Sequence, residues 1–240
     1  MVASAGADMV KPIYHERQVK ELCALHALNN LFQERGFSKQ ELDQICYSLS
    51  PDVWINPHKS LLGIGNYDIN VIMAALQRKG CEAVWFDKRR DPTCLCLDNI
   101  KGFILNVPME YKIGFVLLPL RRRHWIALRK IQDVFYNLDS KLHSPQLIGK
   151  DSDLLQYLKN QMDNKEKELF LVVSKEVDIN HGWLNNTTEK KDNNADRDSI
   201  RYIEEGYQPE VTDVNATEIE ENLNEYKNTK EDLENNKNLR

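Results

Sequence analysis

The 240-residue chain has no apolar run long enough to cross a membrane. Its first residues, Met1-Val2-Ala3-Ser4-Ala5-Gly6-Ala7-Asp8, lack the basic start and apolar core of an export signal. These two absences point to a reducing, intracellular compartment, with the cytoplasm as default. The five cysteines have no regular spacing, so they read as thiols and not as a disulfide framework. Internal repeats are absent as well. Residues 1–184 carry no excess of either charge, with a balance of +2, which gives no case for nucleic-acid binding. The acidity sits in residues 185–240, with 15 acidic and 8 basic side chains. That segment is poor in large apolar residues and cannot offset its chain entropy by burial, so it reads as a disordered acidic tail. Residues 1–12 read as a disordered lead-in, which leaves 13–184 as the folded domain.

What is present falls into two halves. The spacing of Leu25, Leu28, Leu31 and Phe32 predicts a helix over 22–35, with Gly36 as its stop. A second helix is announced by Ser38 and Glu41 as a capping box and by Phe37 with Leu42 as a hydrophobic staple. Its inner face is Leu42, Ile45, Cys46 and Leu49, which makes Cys46 a core thiol. A long loop covers 51–67 and contains Gly63-Ile64-Gly65, too short a motif for a phosphate cradle. A third helix runs from an Asp68 cap to Lys79, stopped by Gly80, with Val71, Ile72, Ala75 and Leu76 inward. From Glu82 the period changes to two. Strands are expected at 82–86, 103–107, 124–131, 134–140 and 168–174, with 117–120 as an extension or a further strand and a helix at 151–163. Helices first and a mostly antiparallel sheet after them is the α+β pattern.

Cys23 falls where the first helix begins. A helix start offers unpaired N–H groups and the positive end of the macrodipole, which favour a thiolate. The plain alternative is a small core residue. Gln18 lies five residues earlier, where an approach segment can aim an amide N–H back at the sulfur. A nucleophilic cysteine needs a base, and the base needs an orienter. His26 sits one turn along the same helix and reads as a support. His15, His58, His143 and His181 lie in loops or at element ends and read as surface residues. His124 opens a strand. With only Gln132 and Asp133 between the two strands, Ile131 faces Val134, Ile126 faces Asp139, and His124 faces Lys141. Asp139 is then the diagonal same-face neighbour of His124, roughly 7 Å away along the backbone, and Asn137 lies one pair further off. Cys23 as nucleophile, His124 as base, Asp139 as orienter and Gln18 as oxyanion donor form a coherent thiol-hydrolase set.

These residues also carry a resemblance. Tyr14-His15-Glu16-Arg17-Gln18, Leu22-Cys23-Ala24-Leu25-His26-Ala27-Leu28-Asn29-Asn30, His124-Trp125 and Tyr136-Asn137-Leu138-Asp139-Ser140 together resemble the Josephin domain. The run Asn56-Pro57-His58-Lys59-Ser60-Leu61-Leu62-Gly63-Ile64-Gly65-Asn66-Tyr67-Asp68 resembles the short members of that family. The resemblance implies a papain-like α+β fold over about 13–184. It implies deubiquitinase activity with Cys23, His124 and Asp139 as the triad and Gln18 in the oxyanion hole. The implied partners are ubiquitin and ubiquitinated proteins, bound by a monomer that needs no cofactor. Some family members carry Asn where this chain has Asp139. The tail shows neither a glutamine run nor a ubiquitin-interacting motif. Trp125 has two readings, as a wall of the slot for ubiquitin's Gly-Gly end and as a core tryptophan. Arg121-Arg122-Arg123 reads as a solvated charge cluster or as a contact to acidic substrate or lipid, which would add a membrane-associated pool.

Two other readings stand beside this one. Cys23, His26, Cys94 and Cys96 could supply four metal ligands, but their spacing lacks the paired C-x₂-C form of structural zinc sites. A ubiquitin-binding module with a weak or misaligned triad is the other.

Overall fold

The computed structural model describes residues 12–19, 21–51, 56–58, 67–113 and 116–185, with the side chains of 110–122 excepted. The lead-in up to Lys11, most of the 51–67 loop with its Gly63-Ile64-Gly65, the side chains of Arg121 and Arg122, and residues 186–240 lie outside the described residues. The chain divides into two units, Met1–Lys191 and Asp192–Arg240.

Three helices come first. Helix α1 spans Cys23–Phe32, α2 Lys39–Leu49 and α3 Ile69–Arg78. The α1 helix is apolar almost all round, and every residue from Cys23 to Leu31 is buried, as befits a central helix. It ends before Gly36. Gln33 takes the left-handed conformation at φ 59° and its N–H returns to Asn29 and Asn30 carbonyls. A non-glycine residue rarely does this. Here the Gln33 side chain is held by both backbone groups of Tyr14, at 3.0 Å each, so the approach segment fixes the helix end. The α2 start has both arms of the Ser38–Glu41 capping box, and Leu42, Ile45 and Cys46 face the core. Leu49, expected inside, is 40% exposed. It occupies the last turn, where the chain already turns outward to Ser50. The Asp68 side chain caps α3 by accepting from Val71 N–H, and Gly80 closes it at φ +67°.

The sheet has six strands: β1 Cys81–Trp85, β2 Ile100–Ile113, β3 Val116–Ile131, β4 Val134–Asn137, β5 Gln146–Gly149 and β6 Glu168–Ser174. Their order is β1-β6-β2-β3-β4-β5, and every pairing is antiparallel. The segments expected at 117–120 and 124–131 are parts of the single long strand β3. Helix α4, Asp151–Met162, and the short α5, Lys175–Ile179, complete the set.

Two apolar layers sandwich the sheet. On one side α1, α2 and α3 pack against Ile104, Trp125, Ala127, Leu138, Phe170 and Val172. On the other, α4 contributes Leu154, Leu158 and Met162 against Phe103, Leu105, Leu128, Phe135 and Leu171. The alternation of side chains along each strand produces this two-faced burial. Leu31 of α1 packs tightly over Gly102 of the sheet, where an added Cβ would stand 2.6 Å from Leu31 Cδ1 and 2.7 Å from the Leu128 carbonyl.

Candidate active site

The β3–β4 hairpin follows the expected register. Ile131 pairs with Val134, Lys130 with Phe135, Arg129 with Tyr136 and Leu128 with Asn137. Gln132 and Asp133 both have positive φ, 52° and 64°, the two-residue turn whose twist matches that of paired strands. Leu138 still donates its N–H to the Ala127 carbonyl at 2.8 Å. Beyond that bond β4 leaves β3, and the stretch around His124 has no β4 partner.

Asp139 sits at this departure. Its Oδ1 lies 2.6 Å from His124 Nε2 and also accepts from the Lys141 N–H at 2.9 Å. Asn137 does not reach the ring. Its Oδ1 accepts from the Asp139 N–H at 3.0 Å, and its Nδ2 turns to Gln146. Asn137 thereby forms a local turn that holds Asp139. Burial would push the Asp139 carboxyl up, but the His124 hydrogen bond, the Lys141 backbone and the charge of the ring hold it below its usual range.

His124 is buried. Burial alone would lower its pKa. Asp139, by hydrogen bond and charge, and Cys23, in the same two ways, more than offset that, so the imidazole stands above its ordinary value. Nε2 is committed to the carboxylate, and the other ring nitrogen, Nδ1, is buried with no hydrogen-bond partner among the described residues. The Cys23 thiol interacts with the ring, and Nδ1 is the nitrogen left for it. Cys23 is the first residue of α1. Its helix start has neither a side-chain cap nor an acidic residue in the first turn, so the dipole at the thiol is not cancelled locally.

Gln18 belongs to the approach segment. Its N–H donates to the Ser140 carbonyl at 2.7 Å, and Ser140 Oγ lies 3.4 Å from its Oε1. The residue is thus seated against the turn that follows Asp139. His26, one turn after Cys23, supports this segment. The Val19 N–H donates to its Nε2 at 3.3 Å, which leaves Nδ1–H to donate to Glu16 Oε2 at 2.7 Å. Asn29 also donates to Glu16, and Tyr14 donates its hydroxyl to the same carboxylate. Burial first, and then Glu16, push the Tyr14 phenol up to about 12, so it stays a donor.

Trp125 is buried. It packs on Phe170 and donates Nε1–H to the Tyr67 carbonyl at 2.9 Å. Arg123 is spent on Asn106 of β2, Glu168 of β6 and the Glu166 carbonyl in the turn before β6. Of the loop histidines, His143 and His181 are exposed. His15 and His58 are not surface residues. His15 Nε2 donates to the Asp139 carbonyl at 3.0 Å. His58 bridges Ser50 at 3.1 Å and Asp68 at 2.8 Å, tying the end of α2 to the start of α3. Among the described residues no group of three or more His, Cys, Asp and Glu is arranged to hold a metal ion.

Sequence reasoning missed His15, Glu16, Asn29, Asn30 and Ser140 as parts of this site. One signal was available: two adjacent asparagines, poor helix formers, inside an otherwise apolar helix.

The class defined by this fold and geometry is an α+β domain with a cysteine at the start of its central helix and a histidine–carboxylate pair on its sheet. The Josephin family model matches residues 18–173, and the chain belongs to that family. It is 55% identical over 168 residues to a Josephin-like protein of Drosophila melanogaster, covering 69% of this chain and 76% of that one. To Josephin-2 of Homo sapiens it is 50% identical over 185 residues, 77% of this chain and 98% of the relative. Human ataxin-3 is 30% identical over 186 residues, 68% of this chain and 46% of ataxin-3.

Proposed function

We propose that this chain is a cysteine-dependent deubiquitinase that hydrolyses isopeptide or peptide bonds at the C-terminus of ubiquitin. The observation that carries the reading is the Cys23–His124–Asp139 arrangement at the start of α1, with Nε2 of the ring bound to Asp139 and Nδ1 left for the thiol. Membership of the Josephin family supports the substrate class.

In this mechanism His124 holds the proton of Cys23, giving a thiolate–imidazolium pair. The thiolate adds to the carbonyl of ubiquitin's last glycine, and the carbonyl π electrons move to oxygen. The Cys23 backbone N–H and the Gln18 amide receive that oxyanion. His124 gives its proton to the leaving amine and the C–N bond breaks, leaving a thioester. Water, deprotonated by His124, then attacks the thioester carbonyl; the C–S bond breaks, releasing the ubiquitin C-terminal carboxyl group and restoring the thiolate–imidazolium pair. Asp139 keeps the ring in the Nε2–H form throughout. A single oxyanion donor is worth about 2.7–4 kcal/mol. Trp125 backs the strand that carries His124 and links it to the Tyr67 end of the 51–67 loop, which fits a supporting role for the slot. We assign catalysis to a domain over 13–184, acting as a monomer in the cytoplasm.

The test is reaction with ubiquitin that bears an electrophile at its C-terminus. One covalent adduct per chain is expected, and Cys23→Ala should give none. Binding of ubiquitin without an adduct in the wild-type chain would replace this reading with that of a ubiquitin-binding module.

A further inference from the structure

Gln18, Cys23 and Asp139 come from distant parts of the chain, yet their supports meet on one side chain. Asn30 lies two turns along α1 from Cys23 and is fully buried. Its Oδ1 accepts from the Glu16 N–H at 2.6 Å. Its Nδ2 donates to the Glu16 carbonyl at 3.2 Å and to the Leu138 carbonyl at 2.9 Å. Glu16 is two residues before Gln18, and Leu138 is one before Asp139. We propose that Asn30 is a positioning residue that sets both Gln18 and Asp139 at their working separation from Cys23. The inference rests on the deubiquitinase reading for its consequence, though not for its geometry.

The chemistry of the position argues for this role. A buried amide is costly unless its polar atoms are bonded, and a leucine would fill the same space without that cost. All three Asn30 bonds go to main-chain atoms of the two segments. The amide therefore acts as a bracket between backbones. The segments also touch each other directly, through the Gln18 N–H on the Ser140 carbonyl at 2.7 Å and His15 on the Asp139 carbonyl at 3.0 Å. These contacts fix the two segments to one another; His26 and Asn29 also tie the approach segment to α1, but Asn30 is the α1 side chain that bonds both it and the Leu138–Asp139 segment. Neither Gln18 nor Asp139 needs to move far for catalysis to suffer, because a misplacement of about 1 Å can cost about 10²-fold.

Asn30→Asp in the full chain is the first test. It keeps the size and the acceptor for Glu16 N–H, and it puts an oxygen against the Leu138 and Glu16 carbonyls. Amide hydrogen exchange should quicken at Gln18, Asp139 and Lys141 and stay unchanged in β2 and β6. Turnover of a ubiquitin–fluorophore conjugate should lose about 10²-fold in kcat with KM nearly constant. Combined with Gln18→Ala, the loss should be less than the product of the two single losses, since residues acting as a unit are not additive. Unchanged exchange in either segment, or fully multiplicative losses, would overturn the proposal. The wild-type chain supplies a second measurement should the variant not fold. The Gln18 and Lys141 amides should open together at one common rate, and independent opening would overturn the bracket. If wild-type protein forms no adduct with electrophilic ubiquitin, the deubiquitinase reading falls, and the exchange data still decide the role of Asn30.

Discussion

At the scale of single residues, the site turns on how two titrations oppose each other. The Asp139 pKa is held down, so its stabilising pair with His124 is complete above the ordinary carboxylate range and is lost as pH falls through the lowered value. The His124 pKa is held up, so its share is complete below the ordinary imidazole range and is lost as pH rises through the raised value. Both shares are present together between about pH 4 and about pH 6.5. For catalysis the alkaline limb matters more. Asp139→Asn removes the carboxylate that does most to raise His124 and leaves Cys23 alone to oppose burial. The alkaline limb of kcat/KM should therefore move to lower pH, and a pH–rate profile reads this directly. Asn137→Ala should leave the limb where it is, because Asn137 touches Asp139 through a backbone N–H. The contact of Asp139 with His124 is legible in the sequence from the two-residue turn, although the ladder ends at Asn137 and the pairs Ile126–Asp139 and His124–Lys141 do not form. The roles of His15 and Asn30 are not legible. Partners of these two lie 124 and 108 residues away; the adjacent asparagines mark Asn30 as unusual in an apolar helix, but nothing local says which distant main chain it holds.

Among the elements, those with local signals were readable. The Ser38–Glu41 box, the Asp68 cap and the Gly80 stop are each set within four residues, and each stands where the pattern put it. The end of α1 differs for the opposite reason: Gln33 stops the helix with its side chain held by Tyr14, far back in the approach segment, and by Asn30. Strand β3 was read as two pieces because Arg121-Arg122-Arg123 interrupts its apolar pattern. Arg123 is accommodated by polar partners on β2 and, beyond it, β6. The contact of α1 with the sheet offers a test of packing at this scale. Gly102→Ala places a methyl against Leu31 and a backbone oxygen. It should cost about 1–3 kcal/mol, as overfilled cores do, and a thermal melt would show it. A fall in activity measured well below the new melting temperature would mean that α1 has been displaced and Cys23 with it.

For the whole molecule, the two-layer architecture accounts for why helices from the first third meet strands from the rest. The sheet presents one face to α1, α2 and α3 and the other to α4. Every group in the proposed chemistry lies between Gln18 and Asp139, and the last described strand, β6, ends at Ser174. A chain ending at residue 185 should therefore form the electrophilic-ubiquitin adduct at the full-length rate. A large drop in that rate would give residues 186–240 a part in catalysis. Strand order carries one more consequence. β6 is the last strand in sequence among the described residues, yet it lies between β1 and β2. During synthesis Cys23 emerges early and His124 and Asp139 midway, but the sheet that aligns them closes only when residues 168–174 arrive. Such non-local pairing makes folding slow. It also makes the nucleophile's reactivity a late event, so a nascent or truncated chain carries the thiol without its trigger, and onset of adduct formation becomes a clock for completed folding.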